Sequence, residues 1–380
     1  MRLIHVSDVR LGLSPESEKN FGRQREQEFR ESFEQVVSRA MEEGCDLLLV
    51  SGGLFSHQPV SAELQEVNRL LSSIPGTQVV ILAGKSDVLK KSAPVRSFQW
   101  APNVRYVTEE GLSRFFFPRL NTAVYAASCT DAGCMTAQEA EKTFRERYAA
   151  EETAAIRILL LPSLEMDPKD LSESESAGRK ADSCGTAPLS SFSYSAFGGI
   201  SRRELPSLRA YCSGALEPAS MKEPGPHGIY EADVSAATGR LIEVSFREMA
   251  KASYIPLLVQ VTEETGGEEL LQLLRAEMER RGEKNVYRIR LLGPRAAETV
   301  FLLEPLKKRF RIEDIVDETE PRYDLSALFA EHPQDMIGFY ISWLEKNNGE
   351  SSELDKKAMQ YGIRALLETA SNGKKAAQNG

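Results

Sequence analysis

The sequence predicts an α/β protein with a layered sheet, because strand-like and helix-like patterns alternate along its first half. A short apolar run at 3–6 is typical of a buried strand. Apolar residues then recur at helical spacing over 29–41, and a second strand-like run follows at 45–50. The alternation continues with a helix after Pro59 and a strand at 78–83, which indicates successive βαβ units.

The middle of the chain adds a hairpin, a capped helix and further strands. Residues 112–128 form a predicted hairpin that turns near 118–121. Thr136 and Glu139 have the spacing of a capping box and predict the start of a helix. The polar stretch 166–191 is predicted to be a mobile surface loop. Further strands are predicted at 156–161, 228–234 and 241–246.

Beyond residue 254 the pattern changes, which indicates a second, smaller α/β unit. Its predicted elements are a strand at 255–261, a helix with its apolar face over 270–278, a strand at 286–292 ended by Gly293 and Pro294, a helix at 298–309 that bends or breaks at Pro305, and a strand at 310–316. We therefore expect a first domain at 1–250, a small α/β domain at 251–317, a helical segment at 318–370 and a disordered tail at 371–380.

Composition limits the class of function. The chain has 380 residues and a net charge of −9, so its overall field repels phosphate backbones and nucleic-acid binding needs a local basic patch or a partner. No apolar run approaches the length of about 20 residues that a membrane span needs, so we expect a cytoplasmic protein without membrane contact. The five cysteines are scattered without a Cys-x-x-Cys pair, which predicts reduced thiols.

A carboxylate follows the first strand, where open α/β sheets place their active sites: the strand is followed by Ser7 and Asp8. The stretch MRLIHVSDVRLG resembles the opening of the calcineurin-like metallophosphoesterases, most closely their SbcD-type DNA-repair exonuclease branch, in which this turn reads Ser-Asp-x-His-Leu-Gly. Arg10 occupies the position of that histidine. After the second strand, SGGLFS is similar to the family's Gly-Asp-Leu-Phe-Asp, and Gly53 occupies the position of the metal-bridging aspartate.

Three later stretches extend the resemblance, and each lacks ligands that the family uses. GKSD resembles Gly-Asn-His-Asp, a proline follows the strand at 156–161 where the family has a histidine, and YSAFGGISR resembles Tyr-x-Ala-Leu-Gly-His-Ile-His-Arg. The substituted positions are Lys85, Ser86, Pro162, Gly199 and Ser201, whereas Asp87 is retained.

The resemblance implies a layered β-sandwich phosphoesterase-like domain flanked by helices, then a small α/β capping domain and C-terminal helices. In the family the domain holds two Mn ions, and the C-terminal helices dock onto the coiled-coil base of an SMC-like ATPase. Family members also tend to form homodimers. The aromatic residues Phe339, Tyr340 and Trp343 are the docking candidates here, although a stripe at helical spacing also suits packing onto the chain's own domain.

A two-metal site holds its cations about 4 Å apart and needs a bridging carboxylate with further imidazole or amide ligands. Of the family's ligand positions that can be matched, Asp8 keeps a ligand side chain. One carboxylate cannot hold two divalent ions, because affinity depends on ligand number and charge. We therefore predict that metal-dependent hydrolysis is lost and that no metal cofactor is bound.

The substitutions by Arg10 and Lys85 allow three interpretations. The two cations replace the charge of the metals and neutralise Asp8 and Asp87, or they point to solvent, or they bind a phosphate or DNA end that is not cut.

A second group of arginines lies among glutamates near the start of the first helix and is predicted to form a solvated face. It consists of Arg23, Arg25 and Arg30.

The four histidines are predicted to have no catalytic role. His5 suits a buried support residue within the first strand, and His57 suits a surface loop. His227 and His332 are expected to be exposed.

Taken together, the sequence predicts a catalytically inactive homologue of SbcD-type exonucleases that acts as a scaffold or DNA-end-sensing subunit with an SMC-like ATPase. The alternative is an active metal-dependent exonuclease or phosphoesterase whose metal site is displaced or completed by a partner.

Overall fold

The computed structural model describes residues 1–163, 189–207, 209–347, 360–367 and 369. Most of the predicted loop at 166–191 and the whole predicted tail at 371–380 lie outside these residues. The chain divides into two compact units, Met1–Ile255 and Pro256–Gly380. The structure is mixed α/β, as the sequence predicts.

The first unit alternates strands and helices and then ends in antiparallel strands. In chain order its elements are β1 (Arg2–Val6), α1 (Gly22–Glu42), β2 (Leu47–Val50), α2 (Ser61–Ser72), β3 (Gln78–Ile81), β4 (Val104–Tyr106), β5 (Ser113–Phe117), β6 (Thr122–Ala126), α3 (Ala137–Arg147), β7 (Ile156–Leu161), β8 (Tyr194–Phe197), β9 (Glu204–Ser207), β10 (Ala210–Cys212), β11 (Gly228–Val234) and β12 (Leu241–Glu248).

Two six-stranded sheets are built from these strands. The first has the order β12-β11-β1-β2-β3-β4, in which β1 to β4 are parallel, and Val6, Val50 and Ile81 stand side by side. The second has the order β5-β6-β7-β8-β10-β9, in which β6, β7, β8 and β10 are parallel. The carboxyl ends of parallel strands share one edge of a sheet, so the segments that follow them are brought together.

Side-chain alternation along the strands divides the core of the first unit. Ile4 and Val6 pack with Phe33 and other apolar residues of α1 and α2. Leu3 points to the opposite face and belongs to a cluster that contains buried residues of both sheets, including Val124. A third cluster packs α3 onto the second sheet.

One arginine of α1 is buried, which corrects the prediction of a solvated face. The side chain of Arg25 is 0% exposed and forms ion pairs with Glu28 and with Glu217, which is itself 0% exposed. Arg25 stands four residues before Phe29 and therefore lies on the buried face of α1. Ser32 also donates a hydrogen bond to Glu217, at 2.5 Å.

The second unit contains a three-stranded sheet followed by helices. Its elements are β13 (Tyr254–Gln260), α4 (Gly267–Arg281), β14 (Val286–Ala296), α5 (Glu304–Arg309), β15 (Arg311–Arg322), α6 (Leu325–Glu331) and α7 (Met336–Asn347), and residues 360–367 are helical. The strand order is β13-β14-β15, with β14 and β15 parallel.

Three boundaries in this unit differ from the prediction. Strand β14 continues through Gly293 and Pro294, because both residues pair with β15, and Gly293 has a φ of +102° within it. Helix α5 begins at Glu304, so Pro305 stands in its first turn, where a missing N–H leaves no hydrogen bond unmade. The helical tail does not start near 318, because β15 extends to Arg322.

The cysteines correct another prediction. Cys129 and Cys134 are joined by a disulfide, whereas Cys45 and Cys212 are buried free thiols. Cys184 lies outside the described residues. The sequence pattern failed here because a disulfide needs Cα atoms close together, and the turn that brings this pair to 4.3 Å has no Cys-x-x-Cys signature.

Among the described residues, none of the helices combines the length and the apolar character needed to cross a membrane.

Candidate functional site

A cleft of about 340 Å³ lies where strands of both sheets in the first unit end. It collects most of the residues that the sequence singles out as a remnant site. Its lining is Asp8, Arg10, Leu13, Ser56, Gly84, Lys85, Ser86, Pro162 and Gly199. Residues far apart in sequence converge here because they follow β1, β2, β3, β7 and β8, whose carboxyl ends face the same side.

The turn after β1 holds two residues in the left-handed region. Asp8 has a φ of +46° and Arg10 a φ of +58°. Their backbone N–H groups donate to the carbonyl oxygens of Gly52 and Gly53, at 3.0 and 2.8 Å. Aspartate adopts this conformation more readily than arginine, so the turn at Arg10 is strained. Strain of this kind clusters at functional sites.

The floor of the cleft consists of glycine backbones in close contact. A Cβ on Gly53 would lie 2.9 Å from Asp8 Oδ1, and one on Gly84 would lie 2.5 Å from the backbone nitrogen of Gly53. A Cβ on Gly199 would lie 2.7 Å from the carbonyl oxygen of Pro162. Gly53 and Gly199 also have φ values of +65° and +75°. At two positions where the resembled family has metal ligands, a side chain therefore has no space.

Both acidic side chains of the site accept hydrogen bonds from the backbone. Asp8 Oδ2 accepts from Gly199 at 2.9 Å. Asp87 Oδ1 accepts from Gly84 at 2.6 Å, and its Oδ2 accepts from Phe55 at 3.2 Å. The carboxylate groups of Asp8 and Asp87 are therefore held by backbone N–H groups of the loops that form the cleft.

Burial also makes these carboxylates weaker acids. Loss of hydration raises the pKa of Asp8, and the nearby positive charge of Arg10 and the hydrogen bond from Gly199 only partly offset it. Burial raises the pKa of Asp87 to about 6, against the lowering effect of the hydrogen bonds from Gly84 and Phe55. Both residues therefore hold a proton more tightly than an ordinary aspartate.

Arg10 forms its ion pair with a residue that the sequence did not single out as a site residue. Its Nη1 donates to both carboxylate oxygens of Glu223, at 2.9 and 3.0 Å, and its Nη2 donates to Ser201 Oγ at 3.0 Å. Burial acts to raise the pKa of Glu223, but the charge of Arg10 and hydrogen bonds, including one from Ala219, lower it overall. Arg10 thus affects Asp8 only through the electrostatic field of its charge, whereas its direct contact is with Glu223.

The remaining predicted residues lie at the rim. Lys85 and Ser86 are exposed there, and Ser86 Oγ donates to the carbonyl oxygen of Phe55 at 2.7 Å.

His5 is a buried support residue behind the cleft, as predicted. Its Nε2 lies 2.8 Å from Ser51 Oγ and its Nδ1 lies 3.1 Å from the hydroxyl of Tyr194. Burial lowers its pKa to about 3, so the ring is neutral near pH 7.

The prediction for His227 was wrong, because this ring is buried. It lies between two backbone carbonyl oxygens, those of Ala215 at 2.9 Å and Glu223 at 3.0 Å. It thereby holds the segment that carries Glu223. His57 is on the surface beside Glu63, and His332 is partly exposed beside Asp335.

The described residues that line the cleft do not fit a pair of divalent cations. Within the described ranges, no three His, Cys, Asp or Glu side chains gather closely enough to hold a metal ion. Asp8 and Asp87 are the acids nearest the family's pattern, and their oxygens are directed to backbone amides. Arg10 adds a positive charge to the lining of the cleft, which repels a cation.

A second candidate surface lies on α7, in the second unit. We call it the aromatic surface and define it as Met336, Phe339, Tyr340 and Trp343. Phe339 is 67% exposed and Trp343 is 60% exposed, whereas Tyr340 packs partly against the apolar cluster around Ile337. With residues of the helix at 360–367, these side chains line a groove of about 670 Å³.

Neither a protein-family model nor a curated protein matches this chain. The relation to the metallophosphoesterases therefore stays a prediction. It depends on the quoted sequence stretches and on the cleft that their residues line.

Proposed function

We propose that this chain is a non-catalytic relative of the SbcD-type exonucleases and serves as a scaffold subunit beside a coiled-coil ATPase. In this proposal the two sheets of the first unit correspond to the family's layered β-sandwich. The second unit would then supply the capping domain and the docking helices.

The observation that carries the proposal is the filled floor of the cleft. A nuclease that had lost a ligand through one substitution would keep space for the metal. Here Gly53 and Gly199 bring backbone to within contact distance of Asp8 and Pro162, and Arg10 is held in place by Glu223. These contacts support a cleft that is maintained for packing rather than for hydrolysis.

The partner part of the proposal draws on the aromatic surface. Large apolar side chains such as Met336 and Phe339, which are 70% and 67% exposed, often mark an interaction surface, and an amphipathic helix face is a common recognition element. We therefore infer that α7 docks onto the coiled coil of an SMC-like ATPase.

Contact with DNA ends is a weaker part of the proposal. Arg10 is engaged by Glu223, and Lys85 is an exposed cation that lines the cleft. With a net charge of −9, the chain would rely on the ATPase for most of its affinity for DNA.

Co-purification with the SMC-like ATPase encoded in the same genome tests the scaffold function. We expect a stable complex that is weakened at least tenfold by the double variant Phe339→Ala with Trp343→Ala. Val300→Ala removes another exposed apolar side chain of the second unit and should leave binding unchanged. Failure of the wild-type chain to bind that ATPase would contradict the proposal.

A nuclease assay with manganese, run on the chain alone and on the complex, tests the absence of catalysis. We expect no cleavage of linear duplex DNA beyond that of the ATPase alone. Cleavage that requires the complex would favour the alternative of a partner-completed metal site.

A further inference from the structure

The disulfide between Cys129 and Cys134 lies directly beside the cleft. It follows β6 and closes a short turn whose residues 131–133 are exposed. Cys129 is 1% exposed, whereas Cys134 is half-buried and open to reagents from solvent. The two residues thus differ in accessibility, so an external thiol reaches the sulfur atom of Cys134 first.

The segment that carries Cys129 holds both ends of the cleft loop, which we define as residues 84–88. At one end, the N–H of Cys129 donates to the carbonyl oxygen of Ala83 at 2.9 Å, and Ser128 Oγ accepts from the N–H of Ala83 at 3.1 Å. At the other end, the N–H of Leu89 donates to the carbonyl oxygen of Cys129 at 2.9 Å. The cleft loop carries Lys85, Ser86 and Asp87 between these two anchors.

We propose that Cys129–Cys134 is a reversible redox site whose reduction by a dithiol releases the cleft loop. A thiolate of the reductant attacks Cys134 Sγ, the sulfur–sulfur bond breaks, and the electron pair leaves on Cys129 Sγ, which takes up a proton. The second thiol of the reductant, once deprotonated, then attacks the mixed disulfide, frees Cys134 and leaves the reductant as a disulfide. Two electrons pass from the reductant to the protein.

The other described cysteines do not compete for this chemistry. Cys45 and Cys212 are buried, and burial raises the pKa of each thiol to about 12. A buried protonated thiol is a poor nucleophile and is inaccessible to a reductant or an oxidant. Among the described cysteines, reversible oxidation is thereby directed to Cys129 and Cys134.

Reduction removes the covalent tie across the turn at 129–134, which leaves the two backbone hydrogen bonds between Thr130 and Gly133, each at 2.9 Å, to close it. In the reduced chain Cys129 is held by its two backbone hydrogen bonds and by packing alone. Opening of the segment would expose the amides that anchor the cleft loop, so their exchange with solvent should become faster.

Hydrogen exchange on the full-length chain, oxidised and then reduced with dithiothreitol, tests this inference in the wild-type sequence. We expect alkylation to detect two additional thiols after reduction, mapped to Cys129 and Cys134. The amide of Leu89 should exchange at least tenfold faster, while that of Leu82, which donates to Val50 within the first sheet, should be unchanged. The double variant Cys129→Ser with Cys134→Ser should match the reduced chain and show no response to dithiothreitol.

Two results would overturn the inference. One is alkylation of both cysteines in chain purified under air without any reductant. The other is identical exchange of Leu89 before and after reduction, which would mean that the disulfide does not restrain the cleft loop.

Discussion

Arg10 and Glu223 form an ion pair beside the cleft, in which Nη1 of the arginine donates to both carboxylate oxygens, at 2.9 and 3.0 Å. Both side chains are largely buried, and 213 residues separate them in sequence. The positive charge of Arg10 is therefore neutralised within the protein itself. Removal of either partner should leave a buried charge without compensation.

The first prediction concerns this pair. Arg10→Ala should lower the free energy of unfolding by about 1–3 kcal/mol, because Glu223 keeps its negative charge in a largely buried position. The double variant Arg10→Ala with Glu223→Ala should lose less than the sum of the two single changes. Urea unfolding of the four proteins measures the coupling energy, and strictly additive losses would contradict the pairing.

The second prediction concerns the buried pair beneath α1. Glu217→Ala should cost about 1–3 kcal/mol, because the fully buried guanidinium of Arg25 loses one of its two acidic partners and keeps the ion pair with Glu28. Glu66→Ala breaks the pair with Arg30, whose two side chains are about half exposed, and should cost less than about 1 kcal/mol. Chemical denaturation compares the two variants, and equal losses would show that Arg25 is not buried in this way.

The third prediction concerns acid sensitivity. The pKa of His5 is about 3 in the folded chain, below its ordinary value, so the unfolded chain binds more protons between these values and stability falls as the pH falls through this range. His5→Gln should be less stable than the wild type at pH 7. The difference between the two proteins should shrink by about 3 kcal/mol on going to pH 4. Parallel stability curves would contradict this explanation.

The fourth prediction concerns Asp87. Its pKa is about 6, above its ordinary value, so its contribution to stability is fully present below about pH 4 and is lost as the pH rises through 6. Carbon-13 NMR of the labelled carboxyl groups should show one aspartate with a midpoint near pH 6. That signal should be missing from Asp87→Asn. A midpoint below pH 4 would mean that the carboxyl is well hydrated.

The fifth prediction concerns the floor of the cleft. Gly53→Asp restores the acid that the resembled family has, but its Cβ would lie 2.9 Å from Asp8 Oδ1 at a φ of +65°. We expect a loss of about 1–3 kcal/mol and no gain of manganese binding. Gly76→Asp is a matched control, because a Cβ there has no heavy atom within 4 Å. Manganese binding by Gly53→Asp would show that the floor can open.

The order and type of the strands and helices in the first unit could be predicted from local sequence patterns. Strands such as β1 and β7 are short apolar runs, and the capping box at Thr136 starts α3 as expected. The convergence of Asp8, Lys85 and Gly199 follows from the shared direction of the parallel strands.

Contacts between distant segments could not be predicted in the same way. The partner of Arg10 and the burial of His227 depend on how the segment after β10 folds back, which no local pattern encodes. Arg25 did carry a usable signal, because it stands one helical turn before Phe29 on the apolar face of α1. The sequence gives no such signal for the disulfide, because the spacing of Cys129 and Cys134 matches no recognised cysteine motif.

Direct measurement of bound manganese tests whether this cleft holds a pair of divalent ions. Equilibrium dialysis against manganese, followed by mass spectrometry of the metal, should find less than one ion per chain, with no change in Asp8→Asn. Two manganese ions per wild-type chain that are lost in Asp8→Asn would contradict this prediction.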